Sequence, residues 1–464
     1  MFKRKLALAT FLLVGVASGA VAQDQTQISL KDAIEVAIAS NPEIIQAQMN
    51  KEAIEFERKQ AQGLYGPRVD VEASAGVRRL ENTTRRNLGI SNNELYPVEA
   101  NARLDWTLFD FGRRRGELER QVARVDGASL RVVERSEFIA LQVSRQYFDV
   151  VLQQRVLAAS EDNVAFHTAL VGDLAEGVRQ RSISIADQQQ AEERLQSALV
   201  RQAEAKQSLA NAQISLRRLT GLDVNSVVLP PDLDRMLPAN IEAAVGAARI
   251  SNPRVKEAHA DVDAAHGLVK SAEGDLKPTI GVEMRGRIGE DIDGFNGDTN
   301  DLQARVYLRW NIFDGGINRA KVQEMVRRAS ETRYRLHQIT REAEEDARAA
   351  WTAMEAQASI SNSLARQSQV SDDLLLSYRS QFNVGRRSLL DVLDAQNTRY
   401  NTQVRLETAR FSQMFAEYQI LAATNLLLEA IQLAPGDGSG ENERSEFDYG
   451  PSAPSELQRR VRPQ

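Results

Sequence analysis

Apolar and polar positions alternate without a break over residues 69–78. Val69, Val71, Ala73, Ala75 and Val77 fall on one side; Asp70, Glu72, Ser74, Gly76 and Arg78 fall on the other. A period of two marks a β-strand with one apolar and one wet face. The pattern returns three times. Ala100, Ala102, Leu104, Trp106 and Leu108 oppose Glu99, Asn101, Arg103, Asp105 and Thr107. Ile280, Val282, Met284 and Ile288 oppose Glu283, Arg285 and Arg287, and Leu302, Val306, Leu308, Trp310 and Ile312 oppose Gln303, Arg305, Arg309 and Asn311. Strands are predicted over 67–79, 98–109, 278–289 and 301–312. Each is close to the roughly 10 residues with which a tilted strand crosses a bilayer. One such run also suits a half-buried soluble strand. Four of matched length, all charged on the second face, suit a barrel wall with lipid outside and water inside.

The rest of the chain reads as helix. No proline interrupts residues 112–178 or 315–383. A continuous helix of about 67 residues is a rod of ~100 Å, and such a rod needs partners along its whole length. The helix predicted after the first rod shows how. Leu195, Gln202, Leu209 and Leu216 recur at heptad spacing beside Ala198, Ala205, Ala212 and Leu219, and Val404, Phe411 and Tyr418 repeat the period later. Small residues in one row allow close helix packing.

The chain is also a tandem repeat. Asn41-Pro42-Glu43 returns as Asn252-Pro253-Arg254, and Pro67 as Pro278. LDWTLFDFG (104–112) returns as LRWNIFDGG (308–316), and SIADQQQAE (184–192) as SLLDVLDAQ (388–396). Four pairs in the same order indicate duplication. The first repeat is assigned to 23–221, a proline-rich connector to 222–239, the second repeat to 240–431, and a disordered Gly/Pro/Ser-rich tail to 432–464. At the strand-to-helix joints, Asp110 and Asp314 are placed to accept from free helix N–H groups. Trp106 and Trp310 sit at matching strand ends, as an interfacial aromatic girdle would.

Composition narrows the function. There is no cysteine among 464 residues, so disulfides, thiolate metal sites and a cysteine lipid anchor are excluded. Residues 1–22 carry a basic start, an apolar run and an Ala-Val-Ala ending, which reads as a secretory signal peptide. Its loss would remove Lys3, Arg4 and Lys5 from a chain of net charge −6, leaving an acidic exported protein that is a poor partner for nucleic acid. The four histidines, His167, His259, His266 and His337, lack metal-ligand spacing. No phosphate loop, serine elbow or zinc-protease helix appears. The expectation is a protein that is no enzyme and needs no cofactor, with the acid-rich stretch 290–301 a solvated loop.

Together these features resemble the TolC family of outer-membrane export channels over residues 28–431. The most specific part is FNVGRRSLLDVLDAQNTRY (382–400), similar to the family's G-x-x-S/T-x-x-DVL-x-A-Q/T signature; SNPEI, FDFG and FDGG add to it. The resemblance implies a mainly α fold with a transmembrane β-barrel. Four strands per chain would form a trimeric twelve-stranded barrel, continued by a long α-helical tunnel in the periplasm. A closed oligomer is needed on physical grounds too, because an open sheet edge cannot stand in lipid. The resemblance also assigns residues. Asp391 and Asp394 match the acidic periplasmic entrance constriction, and Arg387 and Asp187 match a closed-state latch. Residues 179–187 and 385–391, with Arg181, Ser184, Gly385 and Ser388, match tips that meet a periplasmic adaptor. Three departures stand out. Phe382 replaces a latch tyrosine, Ala186 replaces a hydroxyl residue, and Arg181 replaces a turn glycine, which predicts a differently shaped first tip. The function so implied is a passive exit duct for type I protein secretion, working with an adaptor and an inner-membrane ABC transporter. The alternatives are small-molecule efflux with a proton-driven pump and, in another class, a periplasmic coiled-coil scaffold without a pore.

Overall fold

A computed structural model describes residues 27–92, 94–224 and 226–440. The expected signal peptide and residues 441–464 of the expected tail lie outside the described residues. Both repeats fold into the same succession. In the first, α1 (Leu30–Ser40) and α2 (Pro42–Gly63) lead to β1 (Arg68–Ala75), a short α3 (Thr83–Asn87), β2 (Val98–Phe109), α4 (Arg113–Arg179) and α5 (Ile185–Thr220). In the second, α6 (Ile241–Ser251) and α7 (Pro253–Gly274) lead to β3 (Thr279–Glu290), β4 (Asp298–Arg309), α8 (Ile317–Asn383) and α9 (Leu389–Ala423); α10 (Leu427–Ala430) follows. Helices α4 and α8 each run 67 residues, about 100 Å at 1.5 Å per residue.

The strands form one antiparallel sheet in the order β1-β2-β3-β4. The two hairpins therefore meet through β2 and β3, and β1 and β4 are its edges. Strands β2, β3 and β4 have 12 residues each, about 40 Å, enough to cross a ~30 Å hydrocarbon layer at a tilt. Strand β4 starts earlier and stops earlier than its alternation predicts. At its start, Asp298, Thr299 and Asn300 pair with Glu290, Gly289 and Ile288; backbone pairing does not require apolar side chains. At its end, Arg309 pairs with Thr279, and the next position on β3's side is Pro278, which has no N–H to give. Trp310 and Ile312 thus lie beyond the ladder. Strand β1 also ends early, at Ala75, with Arg78 and Leu95 forming an isolated bridge further on.

The helices pack in two tiers. Next to the sheet the order is α2, α4, α7, α8; away from it, α5 packs on α4, α4 on α9 and α9 on α8. Along α5 the buried row is Ala191, Ala198, Ala205 and Ala212, the small-residue heptad seen in the sequence. Close to the sheet, α4 and α7 meet backbone to backbone. A Cβ on Gly116 would lie 2.4 Å from Ser271 N, and one on Gly267 would lie 2.7 Å from Arg120 N. Glycine is what admits this approach.

Where the tiers meet, helices stack end to end through the Asn-Pro motifs. Asn252 caps α7 by accepting from Arg254 N (3.0 Å), and its Nδ2 donates to Ala423 O, the last residue of α9 (3.0 Å). Asn41 does the same for α2, accepting from Glu43 N (2.9 Å) and donating to Leu219 O near the end of α5 (3.4 Å). Pro42 and Pro253 occupy the first helical position, where no N–H is needed.

The main core surrounds this level. Fully buried Tyr147 on α4 accepts from Val228 N (2.9 Å), and its hydroxyl lies 2.7 Å from Val228 O and 2.8 Å from Ile28 O. Burial pushes its pKa up to about 12. Tyr418 on α9 donates to Pro231 O (3.0 Å) and packs edge-on against Phe148. The connector is thereby pinned to both repeats. Residues 432–440 are a correction to the expected tail. Ile431 is buried and Leu433 packs on the core. Beyond them Gly436 N donates to Ser136 Oγ (3.0 Å) and Ser129 Oγ donates to Gly440 O (2.9 Å). These apolar anchors and the α4 hydroxyls hold a segment whose glycine and serine content alone predicts disorder.

Candidate functional site: a two-faced sheet and two helical tips

Strand register sorts the sheet into an apolar and a charged face. Across the four strands Val69, Leu104, Met284 and Ala304 align, as do Val71, Ala102, Gly286 and Leu302. Trp106, Val282 and Val306 align below them. This face is open in the single chain: Val71 is 76% exposed, Leu302 78% and Val306 73%. The other face carries Asp70, Arg103, Arg285 and Gln303 in one row and Arg68, Asp105, Glu283 and Arg305 in the next. Glu283 is its hub, accepting from Arg305 at 2.7 Å with Arg103 and Arg285 within 3.7 Å; Arg103 also pairs with Asp105 (2.6 Å). Paired charges satisfy a face lined by water; hydrocarbon would demand the other.

The two tryptophans stand at the foot of the apolar face. Trp106 Nε1 donates to Tyr65 O (2.9 Å) and Trp310 Nε1 donates to Leu276 O (3.1 Å). Tyr65 and Leu276 follow α2 and α7, so each indole ties a strand end to the preceding helix end while its ring stays exposed. The joints behind them differ in strength. Asp110 accepts from Gly112 N and Arg114 N, and Asp314 from Gly316 N and Asn318 N. Arg114, which the sequence reading missed, adds a buried ion pair with Asp110 (2.8 Å). It also donates to the carbonyls of Leu64, Thr107 and Leu108. Charge at the fourth position after the aspartate of FDF is the only sequence signal for it, and the second repeat has Asn318 there.

At the far end, the α4–α5 and α8–α9 turns are superimposable in pattern. Arg181 N donates to Val178 O and Ser182 N to Gly177 O; Gly385 N donates to Phe382 O and Arg386 N to Gln381 O. Arg181 adopts φ +59° and Gly385 φ +72°. The expectation of a differently shaped first tip is therefore wrong: Arg181 takes the left-handed conformation of a turn glycine instead of avoiding it. Ser184 caps α5 through Asp187 N (3.1 Å), and Ser388 caps α9 through Asp391 N (3.2 Å).

Each capping serine engages an acid. Ser184 Oγ donates to Asp187 Oδ2 and Ser388 Oγ to Asp391 Oδ2, both at 2.7 Å. The Ser388 hydroxyl bond, backed by its N–H and by Arg387, holds the Asp391 carboxyl below the usual range. Arg387 lies 3.7 Å from Asp391, donates to Gln381 Oε1 (3.3 Å) and stacks over Tyr378. Within one chain the structure does not bring Arg387 to Asp187. Asp394 lies one helical step beyond Asp391 and is exposed, without a capping task. Phe382 packs into the apolar cluster of Leu170, Leu174, Leu389 and Leu393 that holds the two tips together.

No histidine cluster forms a metal site among the described residues. His167 is buried in the helix seam, and burial followed by the charges of Arg194 and Arg201 lowers its pKa to about 4. The carboxylates of Asp232, Asp234 and Glu417 come within 4.8 Å of one another. Burial first, then Asp234 and Asp232, raise the Glu417 pKa to about 7, so a proton suffices to relieve that cluster.

Comparison with known proteins agrees with this geometry. The outer membrane efflux protein profile matches residues 33–222 and 244–426. The outer membrane efflux protein BepC of Brucella suis biovar 1 is 26% identical over 294 residues, 61% of this chain and 62% of that protein, just under two thirds of its length. Outer membrane protein TolC of Escherichia coli K12 is 22% identical over 448 residues, 91% of this chain and 87% of its own. The solved CmeC outer membrane channel of Campylobacter jejuni superposes with a TM-score of 0.76 at 14% identity, covering 92% of this chain and 94% of that one; at that identity the likeness shows the fold. These relatives are Gram-negative outer-membrane proteins with a periplasmic helical part, and none of this kinship points to an enzyme. With both repeats matched almost end to end, the chain belongs to the outer membrane efflux protein family.

Proposed function

We propose that three copies of this chain close into one passive duct through the outer membrane. The carrying observation is the sheet: an exposed apolar face, a charged opposite face, and unpaired edges on β1 and β4. Lipid accepts the first, water the second, and neither accepts a free edge, so β1 of one copy completes β4 of the next. The helical tiers support the same closure. Exposed apolar residues lie on their end helices, Val200 and Ile214 on α5 and Val370 and Leu376 on α8. Threefold closure would bring Asp391 and Asp394 into acidic rings at the periplasmic entrance that favour cations. Arg387 would meet Asp187 only across the contact between tips. The tips, with Arg181, Ser184, Gly385 and Ser388, are the proposed docking points for a periplasmic adaptor. Trp106 and Trp310 are the proposed girdle.

For cargo we propose type I protein secretion with an ABC transporter in the inner membrane, on the likeness of residues 388–425 to that branch. The description of the family and of BepC favours a second reading, efflux of small molecules. The pore-free scaffold is set aside by the family match. Comparing culture supernatants and drug susceptibility with and without the gene separates the two cargoes. Loss of a secreted protein with unchanged susceptibility supports secretion; gained susceptibility with an unchanged supernatant supports efflux.

A further inference from the structure

A cavity of about 440 Å³ opens at the α9–α7 joint, within the ~300–1,000 Å³ range of small-ligand pockets. Its walls are Phe138 and Leu141 of α4, Ala349, Ala350 and Ala353 of α8, and Ala422 of α9. Glu137 of α4 also lines it and is 94% buried by its 6% exposure. Its Oε1 accepts from Leu428 N (3.3 Å), while Oε2 has no hydrogen-bond partner. A buried carboxyl oxygen without a donor is costly unless something else satisfies it.

We propose that this cavity binds a small amphipathic ammonium ion, its charged nitrogen on Glu137 Oε2 and its hydrocarbon body against the Phe138, Leu141 and alanine walls. The rim agrees in sign. Glu134 of α4, Asp346 of α8 and Arg254 of α7 face the cavity. Arg254 is already held by Glu342 (2.9 Å) and Asp346 (3.7 Å), and Glu134 by Arg135 (2.5 Å). α9 contributes uncharged Gln419, Ala422 and Ala423. The buried oxygen left without a donor is therefore an acceptor, and the charged residues of the lining are mostly acidic. Anions are disfavoured, and a neutral alcohol can donate to Oε2 but brings no charge to match the carboxylate. Burial raises the Glu137 pKa to about 8, so a proton competes with the ammonium below that pH. This site is independent of whether the duct carries proteins or small molecules.

The test is binding of phenethylammonium to the purified full-length channel in detergent, with 2-phenylethanol as neutral control. The site predicts saturable binding that strengthens roughly tenfold or more from pH 6 to pH 9. Glu137→Gln, which keeps the shape, should abolish the pH dependence and weaken binding at pH 9 by about tenfold or more. Ala349→Phe, which fills the cavity from an exposed position, should block binding of both probes without changing the oligomer. Equal phenethylammonium binding by wild type and Glu137→Gln, or binding untouched by Ala349→Phe in a properly assembled protein, overturns the proposal.

Discussion

Asn252 on α7 donates to the carbonyl of Ala423 on α9 while its other amide atom caps its own helix. One side chain thus closes two helix ends 171 residues apart in the chain, and Asn41 repeats the arrangement with Leu219. Terminal groups that would otherwise need water are satisfied at a level where the tiers are packed.

Asn252→Ala should therefore cost about 1–2 kcal/mol, more than a surface cap alone. Asn252→Asp keeps the acceptor for Arg254 N but loses the donor to Ala423, and should fall between the two. Denaturant midpoints of the detergent-solubilised protein measure the series. A wild-type midpoint for Asn252→Ala would show that the joint is held by packing alone.

Gly267→Val should force α4 and α7 apart, since the added carbon meets Arg120 backbone. Overpacking of this kind costs ~1–3 kcal/mol. Gly172 on the same α4 has open space around its missing Cβ, so Gly172→Ala should be stabilising by up to about 1 kcal/mol. Thermal melts of the two variants should move in opposite directions.

Arg181 sits in a backbone conformation that costs an ordinary residue roughly 1–2 kcal/mol. Arg181→Gly should stabilise the first tip, and Gly385→Ala should destabilise the second by a similar amount. Amide exchange at residues 177–188 and 381–392 reads the effect locally. Faster exchange around residue 181 in Arg181→Gly would mean that the arginine side chain holds the turn.

The pH dependence follows from Glu137, whose carboxyl titrates near 8 when folded against an ordinary 4.5. A raised carboxyl pKa favours the folded state fully below about pH 4.5, and that stability is lost as pH rises through about 8. Wild type should lose stability relative to Glu137→Gln between those limits and run parallel to it above. Denaturation midpoints at pH 5, 7 and 9 decide; a constant difference would show that Glu137 does not titrate in this window.

The sequence displays what is periodic and hides what is remote. Alternation exposes four strands because lipid and water demand opposite faces, and the proline-free runs give α4 and α8 almost to the residue. The end of β4 is missed because Pro278 on the neighbouring strand sets it. The second task of Asn41 and Asn252 is invisible because Leu219 and Ala423 are distant in sequence. At the tips, the serine and aspartate spacing reveals the caps. It cannot say that Asp391 spends its carboxylate on Ser388 while Asp394 stays free, or that Arg387 turns to its own helix instead of Asp187. Residues 432–440 look like tail by composition, yet two apolar anchors and two α4 serines hold them on the core.

The measurement closest to the central claim is a disulfide ladder across the open sheet edges. The chain has no cysteine of its own, so a single engineered pair, one position in 69–75 of β1 with Leu302 of β4, reports contact between copies. Oxidation in the membrane, with the β1 position moved one residue at a time, should give in some register a covalent species of three chains and nothing larger. Monomers at every register, or a ladder running past three, would contradict closure of the sheet into a three-chain barrel.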